Sequence, residues 1–180
     1  MRHAIFMSGR GGQGVLLAGQ IVAQAAVEAG LNTSWYPIYD PEVRGGRTTC
    51  MIVVADGPVG SPIAGQYTSA LLMDEGAVER HLREIAPEGV AIVNTSLATV
   101  PAESTVRTVG VPATQMAEQI MDDRATNMVL LGALAAATQV LKVADLEAAL
   151  AKLFSAKRSD LVALNVKAME AGYQAAQEQL

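Results

Sequence analysis

The 180-residue chain carries 18 acidic and 13 basic side chains, a formal net charge of −5, and no long basic run, which argues against a nucleic-acid partner. With 51% hydrophobic residues it can build its own core, and its lone cysteine, Cys50, excludes an intrachain disulfide, an iron–sulfur cluster held by this chain alone, and a structural zinc. Neither the apolar run Ala4–Met7 nor the stretch Met128–Ala137 is long enough to cross a bilayer, and the first is too short for a signal-peptide core, so a reducing cytoplasm is the expected compartment.

Taken in chain order, Ala4–Ser8 predicts a buried strand that ends at Gly9. Val15, Ala18, Val22, Ala25, Ala26 and Ala29 recur at helical spacing, and Gly30 supplies a left-handed stop. Thr33–Tyr36 predicts a second strand, cut by Pro37, and residues 38–47 a loop of proline, glycine and charge. Thr48–Ala55 is β-branched and apolar, and Asp56-Gly57 is a turn. Ala70–Met73, Gly89–Asn94 and Thr105–Val109 predict further strands, with helices over Glu75–Ile85 and Thr114–Met121. Three helices close the chain, Asn127–Thr138, Ala144–Phe154 and Asp160–Gln179. The expected fold is α/β: a mainly parallel sheet with helices on both faces, a Rossmann-like start, and a helical region over residues 126–180 of one domain spanning residues 1–180.

Two motifs suit anions. Gly9-Arg10-Gly11-Gly12-Gln13-Gly14 satisfies G-x-G-x-x-G between a strand and a helix, where unpartnered helix amides can meet a phosphate. The same glycines would equally let the first helix pack close to the sheet. A dinucleotide fold also wants an acid about 20 residues further on for the ribose. Here the second strand ends in Ser34-Trp35-Tyr36-Pro37 and the nearest acid, Asp40, lies in the loop, which weakens a stand-alone NAD- or FAD-binding oxidoreductase. In the second motif, Tyr39 to Thr48, Arg44 and Arg47 flank Gly45 and Gly46. Guanidinium forks beside glycine amides match phosphate or carboxylate; the alternative is that Arg44 pairs with Glu42 or Asp40 and stiffens the loop.

Other polar residues have quieter readings. Cys50 fits a buried apolar side chain, Asn127 an N-cap or a ligand contact, and Asp74-Glu75 and Asp122-Asp123 caps at helix boundaries. His3 and His81, the two histidines, have no evident catalytic partner, and the methionines lie in apolar elements as core or interface filler.

Gly9–Gly14 followed by Val15-Leu16-Leu17-Ala18-Gly19, together with Tyr39–Gly46, resemble the gamma subunit of 2-oxoacid:ferredoxin oxidoreductases. The resemblance continues in order through Ser61-Pro62, Val90–Asn94, Val111–Thr114, Asn127–Gly132 and Phe154–Lys157, nearly the whole chain. Arg10 and Asp40 depart from it, standing where the family often has glycine. The pattern Pro41-Glu42-Val43-Arg44-Gly45-Gly46 is closer to the 2-oxoglutarate type than to the pyruvate type, with pyruvate, aryl-pyruvate and phenylglyoxylate enzymes as the alternatives.

The resemblance implies a non-catalytic subunit of a complex that turns a 2-oxoacid and coenzyme A into acyl-CoA, carbon dioxide and reduced ferredoxin. It implies alpha and beta partner subunits, with a ferredoxin-like delta subunit as a further candidate, and ferredoxin or another acceptor for the electrons. Thiamine diphosphate, Mg2+ and [4Fe–4S] clusters would sit on those partners and none on this chain, with coenzyme A as cosubstrate. The residues it marks for coenzyme A or phosphate are Gly9, Arg10, Gly11, Gly12, Gln13, Gly14, Arg44, Gly45, Gly46, Arg47 and Asn127. It assigns no catalytic residue and no metal ligand to this chain.

Overall fold

The computed structural model describes residues 1–39, 46–154 and 159–180. Six strands form one sheet in the order β2-β3-β1-β4-β5-β6. They are β1 (Arg2–Arg10), β2 (Asn32–Tyr39), β3 (Arg47–Ala55), β4 (Tyr67–Leu72), β5 (Ile85–Asn94) and β6 (Arg107–Val111). The pairs β1–β4, β4–β5 and β5–β6 are parallel, whereas β3 runs antiparallel to both β1 and β2. Five strands therefore share one direction and β3 alone is reversed. The mainly parallel sheet stands, and the strand–glycine turn–helix opening is present. However, β2 lies two places from β1, because β3 is inserted between them.

The helices are α1 (Val15–Glu28), α2 (Glu75–His81), α3 (Ala113–Ile120), α4 (Thr126–Thr138), α5 (Val143–Leu153) and α6 (Ser159–Gln177). They divide unequally. One sheet face, with Ile5, Met7, Ile52, Leu71 and Ile92, packs against α1, α4 and the remaining long helices. The other, with Ala4, Phe6, Val53, Ala70, Leu72 and Val93, is covered by α2. β1 is buried on both faces from Ala4 to Gly9, which is why it reads as an unbroken apolar run rather than an alternation.

Three expectations needed correction. β2 is not cut at Pro37 but continues to Tyr39. It is an edge strand, where a residue without an N–H breaks no ladder to a second neighbour. The predicted helix Glu75–Ile85 stops at His81, and a 3-10 turn, Leu82–Glu84, leads into β5, which begins at Ile85. Asn127 is not an N-cap: α4 starts one residue earlier, at Thr126, after Ala125.

Helices α4 and α6 cross at backbone contact. A Cβ placed on Gly132 would lie 1.8 Å from the Met169 carbonyl oxygen, and one on Gly172 would lie 1.8 Å from the Val129 carbonyl oxygen. Small residues at both positions let the two helices share one layer over the sheet.

Cys50 is fully buried between β1 and β2, and burial pushes its thiol from an ordinary value of 9.0 up to about 12. Because the folded value is the higher one, this site's contribution to stability is complete below pH 9 and is lost as pH climbs towards 12. A thiol reagent at pH 8 should therefore leave the native chain unlabelled and modify it fully in denaturant. Rapid labelling of the native form would show that the strand opens locally.

Candidate functional site

The site grows from the order of the strands. β1 and β4 are parallel neighbours, yet the chain leaves β1 for α1 on one face and leaves β4 for α2 on the other. Connections that depart in opposite directions open a crevice beyond the carboxyl ends of the two strands, the usual ligand position in an open α/β sheet. Gly9–Gly14 lies at that crevice.

The turn is held from within. The Arg10 N–H donates to Gln13 Oε1 at 2.6 Å, the Gln13 N–H to the Arg10 carbonyl at 3.1 Å, and the Gly11 N–H to the Gly46 carbonyl at 2.8 Å. Two of the amides expected to meet an anion, those of Gly11 and Gln13, are thus engaged. Those of Val15, Leu16 and Leu17, the first turn of α1, find no partner among the described residues. α1 has no side-chain cap and no acid in its first turn, so the positive end of its dipole meets no compensating charge there. Gly14 opens it in the left-handed region, at φ 77, and a Cβ there would also meet Asn127 Nδ2 at 2.3 Å.

Asn127, 1% exposed, docks α4 onto this turn: its Nδ2 donates to the Gly14 carbonyl at 3.1 Å. Its Oδ1 is buried without a partner. Across the sheet, Arg10 and Arg47 are direct cross-strand partners on β1 and β3, both exposed. Like charges in that relation repel. Arg10 Nε also lies 3.4 Å from Asp74 Oδ2. The Asp74 side chain is 6% exposed, and its other oxygen caps α2 by accepting from the Ala77 N–H.

The structure thus gathers Gly9–Gly14, Gly46, Arg47 and Asn127 around one end of β1. Arg44 and Gly45 lie outside the described residues. Sequence reasoning gave no role to Asn94, which ties the rim together. Fully buried at the end of β5, it donates to the Met73 carbonyl and Thr114 Oγ1 and accepts from the N–H groups of Ser96, Ala113 and Thr114. It also missed Arg124, held by both carboxylate oxygens of Asp122. That contact holds the Asp122 carboxyl below its usual range. The available signal was positional: a polar residue directly after a buried apolar strand, as at Asp74 and Asn94, marks a carboxyl-end rim.

The remaining polar groups lie elsewhere. His3 is near the opposite end of β1, bonded to Ser69 Oγ, and burial lowers its pKa. His81 contacts Glu84 and packs against Phe6 with the two rings tilted. Among the described residues no cluster of three or more His, Cys, Asp or Glu side chains is placed to hold a metal, and no helix is long and apolar enough to cross a membrane. Cys50, single and buried, does not fit an iron–sulfur cluster.

Known proteins are similar to this chain in sequence and fold. The sequence model of the pyruvate ferredoxin/flavodoxin oxidoreductase family matches residues 4–175. The chain is 33% identical over 167 residues to ketoisovalerate oxidoreductase subunit VorA of Methanothermobacter marburgensis, covering 92% of this chain and 35% of that one. It is thus about a third of that relative's length. It is 30% identical over 186 residues to the 2-oxoglutarate synthase subunit KorC of Methanocaldococcus jannaschii, covering 99% and 96% of the two chains. The crystal structure of a keto/oxoacid ferredoxin oxidoreductase gamma subunit from Geobacter sulfurreducens superposes with a TM-score of 0.86 at 29% identity, covering 99% of this chain and 98% of that one.

Proposed function

Because the chain belongs to the pyruvate ferredoxin/flavodoxin oxidoreductase family, we propose that it serves as the gamma subunit of a multisubunit 2-oxoacid:ferredoxin oxidoreductase and lines the path by which coenzyme A reaches the reaction. The observation that carries this reading is the uncapped start of α1 beside the facing pair Arg10 and Arg47. Helix amides and two guanidinium groups at one rim suit the phosphates of a large anionic cosubstrate.

The chain is a supporting subunit. The overall reaction joins a 2-oxoacid and coenzyme A to give acyl-CoA and carbon dioxide, and passes two electrons to ferredoxin. Thiamine diphosphate with Mg2+ would supply the carbanion chemistry and [4Fe–4S] clusters would carry the electrons, all on partner subunits: alpha and beta, with a ferredoxin-like delta subunit as a further candidate. This chain's residues bind and orient the coenzyme A phosphates and exclude water beside the partners' site. The substrate favoured is 2-oxoglutarate, on the Pro41–Gly46 pattern and the near full-length likeness to KorC. A branched 2-oxoacid is the second reading, from the likeness to VorA.

In the assembled complex, Arg47→Ala and Arg44→Ala should each raise the KM for coenzyme A by about tenfold, the effect of one charge-assisted contact, with kcat changed little. The KM for the 2-oxoacid should not move. An unchanged coenzyme A KM in both variants would leave the loop as scaffold. Purification of the native chain without larger, thiamine- and iron-containing partners would remove the subunit assignment altogether.

A further inference from the structure

The two edges of the sheet are protected differently. β2 carries Pro37, a residue with no N–H to offer an incoming strand. β6 has no proline, and its one charge, Arg107, precedes an uncharged run, Thr108-Val109-Gly110-Val111. A side chain meets its outer backbone groups instead. Gln179, just beyond α6, accepts from the Gly110 N–H through Oε1 at 3.2 Å and donates from Nε2 to the Gly110 carbonyl at 2.8 Å. Both backbone groups of one residue are thus paired, as a neighbouring antiparallel strand would pair them. We propose that the Gln179 amide stands in for a strand on β6 and keeps this edge from pairing with a second copy of the chain.

The amide is held in place for that task. Its nitrogen also donates to the Ala175 carbonyl at 3.1 Å, so both of its hydrogens and its oxygen are engaged. Turned over, its oxygen would face the carbonyls of Gly110 and Ala175, which fixes the orientation. Arg107 Nη2 donates to the Leu180 carbonyl at 3.4 Å, a second tie between β6 and the segment after α6.

A second copy is the strand that β6 fits. Alternate residues of a strand turn their backbone groups to the same side, so Thr108 faces outward with Gly110. Antiparallel pairing about Val109 sets Thr108 of one copy opposite Gly110 of the other, and each such pair can exchange both N–H···O bonds. A two-fold contact needs only this one patch. The β-branched side chains suit a strand, and Arg107 falls opposite Val111, so no like charges meet directly. Because Gln179 occupies Gly110 in both copies, it blocks every one of these pairs.

The test is sedimentation equilibrium on the 180-residue chain, wild type against Gln179→Ala. Gln179 is exposed, so the variant keeps its core. It should self-associate about tenfold more tightly than the wild type. Amide hydrogen exchange then locates the contact. In the dilute wild type the Gly110 N–H should exchange slowly and the Thr108 N–H fast. In the dilute variant both should exchange fast, and concentrating the variant should slow both. Equal self-association of the two proteins overturns the proposal. Association of the variant that leaves Thr108 and Gly110 exchanging fast overturns it too, because the contact then lies elsewhere. A fast Gly110 N–H in the wild type removes the bond on which it rests.

Discussion

Alanine at Gly132 or Gly172 should destabilise the chain by about 3 kcal/mol or more, read as a fall in the urea midpoint at unchanged slope. Helix propensity alone points the other way, since glycine to alanine in a helix interior gains about 1 kcal/mol. The crossing decides the sign. Each new Cβ would lie 1.8 Å from a carbonyl oxygen of the facing helix, a distance that forces backbones rather than rotamers to shift. Moving α6 outward would open the layer that buries Val129, Ala133, Ala168 and Met169. Gly57→Ala is the control, because nothing lies within 4 Å of a Cβ there; it should be neutral. A fully stable Gly132→Ala would mean that α4 and α6 are not in backbone contact.

Asn94→Ala should be the next most damaging change, about 3 kcal/mol by the same measurement. The side chain is fully buried and makes five hydrogen bonds that tie the end of β4, the end of β5 and the start of α3 together. Its removal leaves the Met73 carbonyl and the Ala113 N–H without these partners inside the core. Asn94→Leu, which keeps the same number of side-chain heavy atoms, should do no better, which separates lost hydrogen bonds from lost packing. Asn94→Asp should fall between, since a carboxylate still accepts from the amides of α3 but opposes the Met73 carbonyl. A stable Asn94→Leu would show that water or movement satisfies those groups.

The elements were largely legible in the sequence because each announces itself locally. β1 is a continuous apolar run, α1 has a clear period and Gly30 at its end, and α4 to α6 are long. The boundaries that shifted were set by distant partners. Pro37 stays in a strand because β2 has a neighbour on one side only. Ile85 belongs to β5 because it pairs with Tyr67, a contact that no local pattern reveals. The site followed the same rule. The glycine turn was visible as a motif, whereas Asn127 reaches it from 113 residues away and Asp74 reaches Arg10 from the next strand but two. Residues that act through such long-range approach carry no signature in their own surroundings.

The reversed direction of β3 has a geometric result for the rim. A strand parallel to β1 would have started at the far edge of the sheet and sent the residues before it there too. Running backwards, β3 begins beside the end of β1, and Gly46 meets the backbone of Gly11. One inverted strand thus delivers two stretches of sequence, more than thirty residues apart, to a common doorstep.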